Sequence, residues 1–245
     1  MSAIWEYDYY DLRKFAPYEI DYFLDIGANV GTVTLLAKAL NPKAKVIGIE
    51  PAKDTFEILK NNIKPWENTG IELYNIALGD GNPMNFHRKG KAGCEGNRFY
   101  NKKENKKWDH SFTQEYTIES KTIKQIFEDY NIDTKKSYIM KIDCEGGERF
   151  LLQQEEDFNY YVKNSVQVLL EIHRGFGGGG SYDQWNDWLK RIKDTHDIKI
   201  GKWIDRHTDK RRYAYFSTDV IDEKKLYKKH WAEIELINKN WVKKK

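Results

Sequence analysis

Cysteine is almost missing from this chain, and so is any strong excess of one charge. Cys94 and Cys144 are the two cysteines in 245 residues, and they stand at no metal-ligand spacing. That argues against a disulfide framework or a zinc cluster and leaves two reduced thiols as the expectation. The formal net charge is only +3, too small to argue for a nucleic-acid binder by itself. No apolar run approaches membrane-spanning length, and the stretch Met1-Ser2-Ala3-Ile4-Trp5-Glu6-Tyr7-Asp8 has neither a basic n-region nor an apolar h-region. A cytoplasmic protein without membrane contact is the expectation.

What is present is a polar-surfaced globule, with 40% hydrophobic and 32% charged residues, and enough chain for one large α/β domain or two small ones. From residue 22 onward short apolar runs alternate with helical patterns. Strand-like runs at Tyr22 to Asp25, Lys45 to Glu50 and Ile71 to Asn75 are separated by a helix from Thr32 to Leu40, closed by Asn41-Pro42, and by one opened by Pro51. β-α-β-α-β implies parallel strands with right-handed crossovers. The rhythm breaks between Gly79 and Ser111, where residues 87 to 107 carry eight Lys or Arg against two Glu. Such a stretch is too long for a plain connection and reads as an excursion beside the site. It resumes with capping boxes at Thr122 and Ser181, a strand at Tyr138 to Ile142 and the most apolar strand of the chain at Val166 to Ile172. Ile198 to Ile204 and Arg212 to Ser217 read as a closing antiparallel pair. The expected division is an N-terminal extension at 1–19, a domain at 20–220 with a basic loop at about 79–112, and an amphipathic helix at 221–245 packed on that domain, bearing Leu226, Trp231, Ile234, Ile237 and Trp241.

In an open parallel sheet, ligands bind outside the carboxyl ends of the strands. The polar residues gathered there are Asp25, Gly27, Asn29 and Gly31 after the first strand, Glu50 after the second and Ala77, Gly79 and Asp80 after the third. Asp143, Cys144, Glu145, Gly146 and Gly147 follow the Tyr138 strand, and Glu171, His173 and Arg174 end the Val166 strand. A dinucleotide fingerprint would carry glycine where Asn29 stands, and an acid two residues before the first glycine repels a diphosphate. The same acid suits a ligand with a cationic amine, which S-adenosylmethionine provides. On this reading Asp25 meets the ammonium, and Gly27 and Gly31 let the backbone approach. Asn29 belongs to the same turn, Glu50 takes the ribose hydroxyls, and Ala77 and Asp80 complete the donor site.

The runs Asp25-Ile26-Gly27-Ala28-Asn29-Val30-Gly31, Ile49-Glu50-Pro51, Ala77-Leu78-Gly79-Asp80, Lys141-Ile142-Asp143-Cys144-Glu145-Gly146-Gly147-Glu148 and Leu170-Glu171-Ile172-His173 together resemble the FkbM-type methyltransferase family. The resemblance spans roughly residues 20 to 175 and departs at Cys144, where an aliphatic residue is usual, and at Gly147, where alanine is common. It implies a class I, Rossmann-like methyltransferase fold: a seven-stranded, mostly parallel sheet with helices on both faces and an antiparallel closing strand. It also implies O-methyl transfer from S-adenosylmethionine, with S-adenosylhomocysteine as product.

For the transfer itself, His173 and Asp143 are the candidate base and acceptor-orienting group, and Glu145 holds the acceptor or the donor's amine. Lys141 is expected to point to the other side of its strand, and Glu171 to pair with Arg174 or Lys141. Asp143, Glu171 and His173 permit a divalent cation without requiring one. The expected acceptor is a sugar, glycan or small metabolite, with an anionic one in view because of the basic loop. The alternatives are an RNA ribose 2′-hydroxyl, a non-catalytic S-adenosylmethionine-binding protein and, disfavoured by Asp25 and Asn29, a nicotinamide-dependent oxidoreductase. Gly177 to Gly180 is a candidate hinge. Oligomeric state is not legible.

Overall fold

The computed structural model describes residues 10, 12–15, 19–88, 98–99, 114–173, 180–203, 213–217, 220–222 and 231–242. The core of the basic loop, Arg174, Gly177, Gly178, Gly179 and the terminal lysines lie outside the described residues.

The first half runs β1 (Tyr22–Ile26), α1 (Thr32–Leu40), β2 (Lys45–Ile49), α2 (Lys53–Ile63) and β3 (Ile71–Tyr74). The excursion holds β4 (Ala77–Leu78), β5 (Met84–Arg88), β6 (Arg98–Phe99), β7 (Gln114–Ile118) and β8 (Ser120–Lys121). It is therefore partly built: β6, β5 and β7 form a small antiparallel sheet, and β4 pairs with β8. Then come α3 (Ile123–Asp129), β9 (Tyr138–Ile142), α4 (Arg149–Gln153), α5 (Glu155–Asn164), β10 (Gln167–His173) and α6 (Tyr182–Ile192). The chain closes with β11 (His196–Trp203), β12 (Tyr213–Ser217), β13 (Trp231–Asn238) and α7 (Lys239–Val242).

The main sheet has the order β12-β11-β13-β10-β9-β1-β2-β3. Strands β3, β2, β1, β9 and β10 are mutually parallel, and β13 lies antiparallel between β10 and β11. This is the seven-stranded, mostly parallel Rossmann-like sheet, with β12 added as an eighth strand on the edge. The expected pairing of β11 with β12 is antiparallel as foreseen, but it is β13 that closes onto the parallel core.

The C-terminal helix expected at 221–245 is corrected: residues 231–238 are a strand, and among the described residues of that stretch only Lys239–Val242 is helical. The Trp231, Ile234, Ile237 spacing fits a helical stripe, but every residue from Ala232 to Leu236 is buried. An interior strand with both faces covered shows no period-two polarity, so periodicity alone misassigns it. Its two acids are buried with it, and Glu235 is held by Gln167 and by Lys199, whose Nζ lies 3.3 Å away.

Both faces of the sheet are covered. Leu24, Ile47, Met140 and Leu170 join a core with Phe127, Phe158, Trp185 and Trp188 from α3, α5 and α6. Trp185 and Trp188 are fully buried, and Trp188 stacks on Phe158. The opposite face sets Phe23, Val46, Ile139 and Leu169 against α1, α2 and two N-terminal residues, Tyr10 and Leu12. Both capping boxes form, with Thr122 accepting from Gln125 N–H and Ser181 from Gln184 N–H. Among the described residues, no helix is long and apolar enough to cross a membrane.

Candidate active site

The β1 turn is fixed by its neighbours. Gly27 and Ala28 donate their N–H groups to Ile49 O at 2.9 and 2.8 Å, locking the turn to the end of β2. Gly27 has φ +86°, and a Cβ there would lie 1.7 Å from the Asp143 carbonyl oxygen. Gly31 has φ +90°, and its Cβ would press on Leu59. Glycine is thus demanded at both positions by protein backbone and core, whereas ligand approach was the reason inferred from sequence.

Glu50 fits its expected place. It is buried at the end of β2, with Oε2 accepting from Asn29 N–H and Oε1 from Ala52 N–H, each at 2.9 Å. Burial pushes its pKa up to about 7 against the opposing pull of the Ala52 and Asn29 amides. A carboxylate has about four lone-pair sites, so each oxygen keeps capacity for a further donor. Asn29 sits at φ +49°, and its Oδ1 is buried without a hydrogen-bond partner.

Asp25 is fully buried, and its carboxylate is already engaged. Thr34 donates to Oδ2 at 2.6 Å, and Lys141 Nζ lies 3.3 Å from Oδ1. Register explains the pairing: Asp25 and Lys141 are cross-strand partners on β1 and β9, so both project to one face. Asp143, two residues beyond Lys141, shares that face, and its Oδ2 lies 3.6 Å from Nζ. Lys141 also donates to Gly27 O at 2.7 Å. Burial opposes its charge, but Asp25 and Asp143 overcome that and raise its pKa above the ordinary lysine value. The expectation that Lys141 points away from the site is corrected: it joins the two strand ends.

Ala77 is buried in β4 beside Ala52, the residue that caps Glu50. Asp80 is exposed and turns back on its own loop, with Oδ1 accepting from Asn82 N–H at 3.0 Å.

The ends of β9 and β10 bring together the other predicted residues. His173 is buried, with Nδ1 3.2 Å from Glu148 Oε1 and Nε2 3.1 Å from Glu171 Oε1. Glu145 Oε2 and Asp143 Oδ1 lie 3.7 and 4.0 Å from Nε2. Glu145 takes φ +52° on the tight turn, followed by Gly146 at φ +102°. Burial disfavours a charged imidazole here, but Glu148 and Glu171 outweigh it and hold the pKa well above the usual histidine value. Burial, then the charge of Asp143, raise the Glu171 pKa.

Three participants were missed or misjudged from sequence. Glu171 pairs with His173; the two stand two apart on one strand, a same-face spacing that was legible. Glu148 is fully buried, and its oxygens accept from Cys144 N–H and Gly146 N–H at 2.9 Å each. Tyr10 donates to Asp143 Oδ2 at 3.1 Å from a segment outside every motif; no sequence signal pointed to it. Asp143, Glu148 and His173 each offer a ligand atom within 4.8 Å of one another. Burial, then the charges of Glu148 and Asp143, raise the Cys144 pKa.

The model of the methyltransferase FkbM domain matches residues 25–195, well over half the chain. A curated protein named Methyltransferase 1, from Beauveria bassiana (strain ARSEF 2860), is 32% identical over 65 residues, which cover 26% of this chain and 26% of that protein. Among solved structures, a precorrin-6y C5,15-methyltransferase from Geobacter metallireducens aligns at TM-score 0.43 and 9% identity, over 93% of this chain and 88% of that one. A fibrillarin/Nop5p complex aligns at TM-score 0.45 and 9% identity, over 96% and 82%. Likenesses this remote carry nothing about substrate.

Proposed function

The chain belongs to the FkbM methyltransferase family, and from that membership we propose that it is an S-adenosylmethionine-dependent O-methyltransferase whose acceptor is a hydroxyl of a sugar, glycan or small metabolite. The observation that carries the donor assignment is the pair of unsaturated acceptors at the β1–β2 edge. Glu50 keeps lone-pair capacity on both oxygens for two ribose hydroxyls, and the buried Asn29 Oδ1 lacks a partner that the donor's ammonium would supply. Asp25 supports this site from beneath, through Lys141 and the turn carbonyl of Gly27.

The bound donor supplies an electrophilic methyl group: the acceptor oxygen bonds to that carbon while the carbon–sulfur electron pair returns to sulfur, leaving S-adenosylhomocysteine. The chain's own work is to place the acceptor and receive its proton, worth about 10²–10⁴-fold for the proton transfer. Asp143 and Glu145, each with side chains 25% exposed, are the open carboxylates suited to both tasks. His173 lies 3.1 Å from Glu171 and 3.2 Å from Glu148 and joins the two at the strand ends. A carboxylate-rich edge favours an uncharged polyhydroxyl acceptor over a polyanion such as RNA, although a basic loop stands elsewhere in the sequence.

The test is incubation with labelled S-adenosylmethionine and a panel of glycans, phenols and RNAs. Label in a glycan or small-molecule hydroxyl is the expected outcome. Label in RNA, with binding that falls steeply as salt rises, would establish the RNA reading instead. Binding of S-adenosylhomocysteine with no transfer to any acceptor would favour a non-catalytic binder.

A further inference from the structure

We propose that the His173 cluster is a binding site for one divalent cation of the magnesium or manganese class, held by His173 Nε2 with Glu171 and Asp143, and with Glu145 facing it. This deepens the acceptor-site reading above and rests on it for function, though not for geometry.

The argument begins with Glu148. Both its oxygens accept backbone amides, so its carboxylate cannot turn away. It is also fully buried. A carboxylate only accepts, so the imidazole nitrogen 3.2 Å from it, Nδ1, must be the N–H donor. This fixes the ring's orientation and aims Nε2 at the open side of the strand ends. A buried carboxylate that orients a histidine through its far nitrogen is the arrangement that supports metal-ligating imidazoles.

Nε2 then faces Glu171, Glu145 and Asp143 oxygens at 3.1, 3.7 and 4.0 Å. The nitrogen has a single proton to offer three carboxylates, whereas a divalent ion in its place answers all of them. The distances fit such an ion. Bonds of about 2.1 Å in an octahedron put neighbouring ligand atoms about 3.0 Å apart and opposite ones about 4.2 Å apart. The three spacings fall inside that window. Glu148 belongs to the supporting layer because each oxygen accepts a backbone amide and Oε1 also faces the far ring nitrogen, Nδ1.

The donor set also selects the ion. One imidazole among carboxylates, with no thiolate, suits magnesium or manganese better than structural zinc. Cys144, the thiol nearest in sequence, is not part of the set. The ion would leave positions for water and for the acceptor hydroxyl, whose pKa it would lower. The proton would then pass to Glu145, and the methyl carbon would exchange its bond to sulfur for one to the acceptor oxygen.

The experiment uses Mn²⁺ as probe on the full chain, followed by electron paramagnetic resonance, with S-adenosylhomocysteine calorimetry run in parallel in chelator. Wild type should bind one tight Mn²⁺ whose spin-echo modulation shows coupling to an imidazole nitrogen. His173→Gln should abolish that coupling, and Glu171→Gln should weaken binding at least tenfold. Glu148→Gln should weaken it about 10–100-fold, as loss of an orienting partner does. The inference is overturned if wild type takes up no Mn²⁺ at millimolar concentration, or if the bound ion shows no nitrogen coupling; the second readout needs no variant to fold. Product binding without Mn²⁺ binding sinks the cation and spares the methyltransferase reading. Mn²⁺ binding without product binding does the reverse.

Discussion

At the ends of β1 and β2 Glu50 is held by backbone amides; at the ends of β9 and β10 the groups around His173 meet it through charged side chains, although Glu148 among them is itself anchored on two amides. Glu50 leans on two amides, and the turn it serves is pinned to Ile49 O. His173, by contrast, is surrounded by Glu148, Glu171, Glu145 and Asp143, and none of these contacts with His173 is a backbone bond. The first half is a rigid mould that needs few residue types. The second is an electrostatic cluster whose properties belong to the group. Lys141 is the bridge, touching Asp25 and Gly27 on one side and Asp143 on the other.

The sharpest way to break the comparison is therefore to cut the bridge. Lys141→Met leaves Asp25 buried without its cation, and removing one partner of a buried pair costs about 3–5 kcal/mol. Chemical denaturation should show a loss of that size, with product binding lost as well. Asp25→Asn in the same chain should recover part of the stability, because it removes the stranded charge. If Lys141→Met is as stable as wild type, the two halves are not joined through this side chain.

Next in size is Gly27→Ala. The added methyl would meet the Asp143 carbonyl at 1.7 Å, at φ +86°. Unfavourable φ alone costs about 1–3 kcal/mol, and the clash pushes β9's end away from the turn. Calorimetry with S-adenosylhomocysteine should show at least a tenfold loss. A variant that binds normally would mean that the turn and the Asp143 strand end can separate without harm.

These two predictions also mark what the sequence made legible. Local features were readable: the glycine turn, Glu50 at a strand end, both capping boxes, the alternation that builds the parallel core. They depend on residues close in the chain. What escaped depends on register and on distant packing. Lys141 could not be placed beside Asp25 without knowing that β1 and β9 are neighbours in step. His173 was legible as a strand-end histidine, but only the fold gathers the acids around it. The strand at 231–238 was missed because burial on both faces erases the pattern that distinguishes strand from helix. Tyr10 left no trace at all.

Glu50 sharpens the comparison through pH. Its folded pKa of about 7 lies above the unfolded glutamate value of about 4.3. The folded state therefore binds more protons between those values, and the Glu50 contribution to stability falls as pH rises through that window and is flat above it. Ligand binding should run the other way, since the ionised carboxylate is the better acceptor for ribose hydroxyls. S-adenosylhomocysteine should bind wild type more tightly at pH 8 than at pH 6. Glu50→Gln should bind about 10–100-fold more weakly, in keeping with about 1.5–3 kcal/mol for hydrogen bonds to a charged group, and should lose the pH trend. Equal affinity in the two proteins would remove Glu50 from the donor site.

The smallest effect tests whether the charged half reaches beyond the matched domain. Tyr10 lies before residues 25–195, yet its hydroxyl reaches Asp143 Oδ2 at 3.1 Å, and its ring lies 5.9 Å from Lys141 Nζ. Tyr10→Phe keeps the ring and removes the donor. One bond to a partly exposed carboxylate is worth about 0.5–1.5 kcal/mol net, so transfer to the acceptor found in the panel should slow about two- to tenfold. Product binding should stay unchanged, because the donor half stands on backbone. Tyr10→Ala should add a loss of stability from the vacated packing on Lys141. If Tyr10→Phe instead weakened product binding and left transfer intact, the N-terminal residue would belong to the donor half, and the division between mould and cluster would have to be redrawn.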